Sequence, residues 1–167
     1  MKNEQSINLI ENILRANYIP VYRFTLPCEH PDQLDLGLRS YLLGISNTAE
    51  FFNGAFEKLK PKKIYFTTDK FRCTFVFFLL PDEKTVLHCG PVLFEKIQEE
   101  RFEEVFQTLN LPETYHDALE AYYQKLCYQS SYPMFESLFL ELGKTLYGSA
   151  CEIVPVSYTH LRAHETP

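Results

Sequence analysis

The sequence predicts an α+β fold, an antiparallel sheet followed by a helical C-terminal half. Three observations carry that prediction. Three strand signals follow one another between residues 63 and 89, joined by turns too short for a crossover helix. After Gly90-Pro91 the apolar pattern changes to a helical period and keeps it. The 167 residues amount to about one domain, and 14 Phe with 11 Tyr supply an aromatic-rich core.

Ile10, Ile13, Leu14 and Tyr18 fall on one helical face, and Pro20 stops that helix so that Val21 to Thr25 can run as a short strand. Leu26 to Ser40, with Pro27, Pro31, Asp32 and Gly37, reads as a loop. Asn47 then caps a helix with Glu50 at its third position and Phe52, Ala55, Phe56 and Leu59 on one face. Lys58, Lys60, Lys62 and Lys63 complement the dipole at its C-terminus, and Pro61 ends it.

Lys63 to Thr68, Phe71 to Leu80 and Thr85 to Cys89 form a meander, with Pro81 to Lys84 as the second turn. If Pro81 faces Lys84, Phe77 lies opposite His88 and Leu79 opposite Val86. One face then carries Phe71, Cys73, Phe75, Phe77, Leu79, Val86 and His88. The other carries Arg72, Thr74, Val76, Phe78, Leu80, Leu87 and Cys89, so both faces should be covered. Gly90-Pro91 is expected to end the sheet. Three core-facing stripes follow: Phe102, Val105, Phe106 and Leu109; then Tyr115, Leu119, Tyr122, Tyr123 and Leu126; then Phe135, Leu138, Phe139, Leu142 and Leu146. Pro112 and Pro133 sit near helix starts and Gly148 just past an end.

The 16 Lys+Arg against 22 Asp+Glu give a net charge of −6, which argues against attraction to nucleic acid or an anionic membrane. The apolar run Phe75 to Leu80 is far shorter than the ~20 residues of a membrane helix, and no signal core follows the N-terminus. Five irregularly spaced cysteines fit reduced thiols in a cytoplasmic protein. No phosphate-binding glycine loop, nucleophile elbow or paired C-x-x-C is present, so no catalytic residue, metal or cofactor is assigned. Cys28, His30, His88 and Cys89 have zinc-ligand chemistry without ligand spacing, and adjacent His88 and Cys89 should point to opposite faces of a strand. Glu99, Glu100, Glu103 and Glu104 surround an apolar stripe, which reads as a solvated helix face.

The run Asp69 to Phe78, followed by Leu80-Pro81-Asp82 and Gly90-Pro91, resembles the amino-terminal regulatory region of AraC-type transcription regulators of gut-type Gram-positive bacteria. Ile19-Pro20-Val21 before the sheet and the Tyr122-Tyr123 pair after it extend the resemblance over about residues 7 to 155, although Leu87-His88-Cys89 and Val92 depart from its pattern. The resemblance implies a PAS- or GAF-like sensor and dimerisation domain, whose DNA-reading half would follow Pro155.

Val156 to Pro167 reads as one translated frame of a transposase sequencing adapter, which suggests a truncated regulator. The expected organisation is therefore a regulatory domain over 1–155, with sheet-forming part about 19–92 and helical part about 95–148, and an artefactual tail over 156–167. The expected function is ligand sensing and dimerisation, ahead of a protein-only interaction domain and, third, a small hydrolase. A small-molecule effector would meet Phe75 and Phe77 as walls, Cys73 as a small neighbour and His88 as a polar contact. A core imidazole satisfied by a local partner is the competing reading of His88. A homodimer would use Phe135, Leu138, Phe139, Leu142 and Leu146, and this fragment should bind no DNA by itself.

Overall fold

In the computed structural model, which describes residues 2–156, the hairpin register is the one its turn dictates. Strand β3 (Thr74–Leu79) pairs antiparallel with β4 (Thr85–Leu93), Phe77 facing His88 and Leu79 facing Val86. Asp82 fixes the turn, its carboxylate accepting the backbone N–H groups of Lys84 and Thr85 at 3.0 and 2.8 Å. Strand β2 (Lys63–Thr68) completes the meander against β3, and β1 (Val21–Thr25) pairs antiparallel with the outer side of β4.

The described chain has eight more α-helices and strands: α1 (Lys2–Ala16), α2 (Leu38–Leu43), α3 (Ile45–Phe56), α4 (Glu99–Leu109), α5 (His116–Lys125), α6 (Tyr132–Tyr147) and two late strands, β5 (Cys127–Tyr128) and β6 (Glu152–Val156). The sheet order is β1-β4-β3-β2-β6, with β5 beside the far end of β4. Both late strands pair in parallel, β6 with β2 and β5 with β4, so the α+β sheet is mixed though mostly antiparallel. Each returns to the sheet through helices, the connection that parallel pairing requires.

Period-two alternation sends the strand side chains into two cores. Phe71, Cys73, Phe75, Phe77, Leu79 and Val86 meet α2, α3, α4 and α5, while Val76, Phe78, Leu80, Leu87 and Cys89 meet α1 and α6. The sheet is covered on both faces.

Several boundaries differ from the sequence reading. The expected loop from Leu26 to Ser40 contains a 3-10 turn (Pro31–Asp35) and the start of α2, because Leu34, Leu38 and Leu42 form a buried ladder and the Asp35 carboxylate accepts the N–H groups of Gly37 and Arg39. Helix α3 begins at Ile45 behind Gly44, not at an Asn47 cap. On α1, Ile7, Ile10, Glu11 and Leu14 face the sheet, whereas Ile13 and Tyr18 are exposed; Glu11 is buried against Arg23 at 2.9 Å. Strand β4 runs through Gly90-Pro91 to Leu93, with a register shift between Thr74 and Val76 that absorbs the irregularity. Gly90 has φ +117°, and a Cβ there would stand 2.6 Å from the Thr74 carbonyl oxygen.

Strand β6 extends through Val156, one residue into the segment set apart as a tail; the rest of that segment, 157–167, lies outside the described residues. Among the described residues no helix is long and apolar enough to cross a membrane.

Candidate functional site

Helix α3 crosses the sheet near the edge made by β2 and β6, and the space between them is a cleft of about 390 Å³. The helix supplies a row at helical spacing, Asn47, Glu50, Gly54 and Glu57, flanked by Phe51, Ala55 and Lys58. Tyr65 and Thr67 of β2, Phe77 of β3 and Val154 to Val156 of β6 form the opposite side. Tyr65, Thr67, Phe77, Val154 and Val156 share the inward face of their strands, which is why apolar groups dominate the lining.

Two features of this cleft have no packing explanation. Gly54 lies inside a helix, where glycine costs roughly 0.5–1 kcal/mol relative to alanine. An added Cβ there would meet nothing within 4 Å, so no close approach requires the glycine. Thr67 is 1% exposed, and its hydroxyl has no hydrogen-bond partner. A buried hydroxyl left without one costs about 1–3 kcal/mol.

The walls are held firmly. Tyr65 stacks on Phe77 with ring centroids 5.9 Å apart and donates its hydroxyl to the Lys58 carbonyl at 3.0 Å, which ties β2 to the end of α3. The Arg39 guanidinium lies 3.6 Å from the Phe51 ring centre and donates to Asn47 Oδ1 at 3.3 Å. Arg39 also pairs with Asp69 at 3.5 Å, both fully buried. Asp69 accepts the N–H groups of Phe71 and Cys73, each at 3.0 Å; burial pushes its carboxyl up to about 6, against the opposing pull of Arg39. Burial likewise raises Asp35. Tyr122 and Tyr123 of α5 donate to the carbonyls of Asp35 and Phe71 at 2.8 and 2.6 Å. A polar cluster thus anchors the back of the cleft to α5.

Of the effector residues expected from sequence, Phe77 lines this cleft and the other three lie behind it. Phe75, Phe77 and His88 do come together, the imidazole centroid 5.5 and 6.1 Å from the two phenyl centroids. Phe52 and Phe56 close over that imidazole at 5.7 and 6.2 Å, leaving His88 with no exposed surface. Its Nε2 lies 3.3 Å from the Leu34 carbonyl oxygen, which makes Nε2 the protonated nitrogen, and burial lowers its pKa to about 3. Nδ1 is buried without a partner. His88 is therefore part of the core here, not a contact in the cleft. Cys73 sits beside Asp69 and the α5 tyrosines, where burial raises its thiol pKa well above the ordinary range.

The α6 stripe expected to form a dimer is spent on the chain's own sheet. Phe135, Phe139, Leu142 and Leu146 are buried against Phe66, Phe78 and their neighbours, and Leu138 is half-buried. Cys28 and His30 border a second hollow of about 350 Å³ beside β1, remote in role from His88 and Cys89, which face different cores. Among the described residues no three His, Cys, Asp or Glu side chains are grouped as metal ligands.

Sequence reasoning missed Thr67, Glu50 and β6 as parts of one site. The available signal was Gly54, a glycine between Phe51-Phe52 and Ala55-Phe56 in an otherwise well-patterned helix. Compared with family models, curated proteins and solved structures, the chain gave no match.

Proposed function

We propose that the chain is the ligand-sensing regulatory domain of a bacterial, cytoplasmic transcription regulator of the AraC type, with the cleft between α3 and the β2–β6 edge as its effector site. The observation that carries this reading is a cleft of about 390 Å³, within the size range of small-molecule sites, whose helix wall keeps a glycine that packing does not need. The resemblance of the Asp69 to Phe78 region to AraC-type sensors supports assigning that binding to transcription control. The reading assigns no bond-making chemistry to the domain. Self-association would have to use surfaces other than the buried α6 stripe; α1 exposes Leu9 and Ile13.

A metabolite screen by thermal shift, run in parallel on wild type and Gly54→Leu, tests this reading. Leucine at that position projects into the cleft and suits a helix, so the variant should fold and lose every stabilising response. A screen without a single hit, or hits that persist unchanged in Gly54→Leu, would overturn the assignment of this cleft.

A further inference from the structure

We infer that the cleft selects a flat apolar molecule, neutral or cationic, that presents a hydrogen-bonding group to Thr67; the inference rests on the cleft being the effector site. The aromatic rings of Phe51, Tyr65 and Phe77 with the aliphatic Ala55, Val154 and Val156 define a place for a ring system. Among the described lining residues, the Thr67 hydroxyl is the buried polar group left without a partner, and it can donate one hydrogen bond and accept others. A ligand oxygen or nitrogen meeting it would restore what burial removed. An alkyl group there would leave the hydroxyl stranded.

Charge enters at the opposite wall. Among the described lining residues Glu50 and Glu57 bring two carboxylates, one turn on either side of Gly54, and Lys58 brings a single cation. Arg39 does not offset them within the cleft, because its guanidinium is covered by Phe51 and paired with Asp69 behind that ring. An anionic ligand would lose hydration over an apolar floor and meet a net negative wall, whereas an amine would lie against carboxylates.

Four probes that share one ring separate these contributions in calorimetric titrations of the full chain: 2-(1-naphthyl)ethylamine, 2-(1-naphthyl)ethanol, 1-naphthaleneacetate and 1-ethylnaphthalene. The amine and the alcohol should bind at least fivefold more tightly than the acetate. Glu50→Gln combined with Glu57→Gln should narrow the gap between amine and acetate. Thr67→Val should weaken the alcohol about tenfold and leave ethylnaphthalene unchanged, since valine keeps the shape and removes only the hydroxyl. If the acetate binds as well as the amine and Gly54→Leu abolishes both, the charge selectivity is overturned while the cleft stands. An alcohol indifferent to Thr67→Val overturns recognition by that hydroxyl. Failure of all four probes to bind, while the metabolite screen gives hits that Gly54→Leu abolishes, overturns the flat-ring inference and leaves the effector site standing; binding untouched by Gly54→Leu overturns the effector-site reading and this inference with it.

Discussion

At the scale of single residues, two buried titratable groups pull stability in opposite directions with pH. An unfolded imidazole takes its proton near 6.5, but His88 in its aromatic enclosure resists until about 3. The unfolded chain therefore carries the extra proton between those values, and the stability from neutral His88 is full above 6.5 and lost as pH falls toward 3. Asp69 runs the other way: raised from 3.8 to about 6, its contribution is full below 3.8 and lost as pH rises through about 6. Each slope is ~1.4 kcal/mol per pH unit, so the two offset one another from about pH 6 to 4. His88→Leu removes one slope and should leave a protein whose stability, relative to wild type, climbs on acidification from pH 6 to 4. Urea melts at three pH values would show it, and parallel profiles would mean that folded His88 protonates normally. The sequence placed His88 on the correct sheet face through the turn register. It could not name Leu34, 54 residues distant, as the partner, because that contact exists only once the 3-10 turn folds over the sheet.

Elements were legible where period and punctuation agreed and illegible where they conflicted. The four-residue turn fixed the β3–β4 register, and the stripes of α4, α5 and α6 identified their buried sides. The segment before α2 was hidden because its prolines and glycine outweighed the Leu34, Leu38, Leu42 ladder. Strand β6 was hidden by Pro155, which is tolerated since β6 occupies the edge of the sheet, where a missing N–H breaks no second ladder. Three variants test how the elements are held. Phe139→Glu places a charge in the α6 core and should unfold the chain rather than dissociate it, which circular dichroism with sedimentation would distinguish; a folded monomer would contradict the packing. Tyr123→Phe should cost about 1–2 kcal/mol in chemical denaturation, because the Phe71 carbonyl loses its hydroxyl donor and keeps only the weak Cys73 thiol. Gly90→Ala meets both a positive φ and the Thr74 carbonyl, and should cost about 2 kcal/mol or more; a neutral result would show that β4 can shift.

For the whole molecule, the two-sided sheet and the −6 charge define what the domain can contact. No retardation of duplex DNA is expected in gel shifts at physiological salt, and sequence-selective retardation would contradict it. The parallel pairing of β6 with β2 also gives the cleft a history. On a ribosome, α3 and the meander emerge early and can collapse on one another, but the last wall arrives only with Val154 to Val156. A hundred residues separate Phe56 from Val156, which is about 5–20 s of synthesis. Over that interval the nascent chain has a helix and a sheet edge with no enclosure between them. With the cleft as the proposed effector site, binding there has to wait for the last wall, and a signal present during translation would act on finished domains alone.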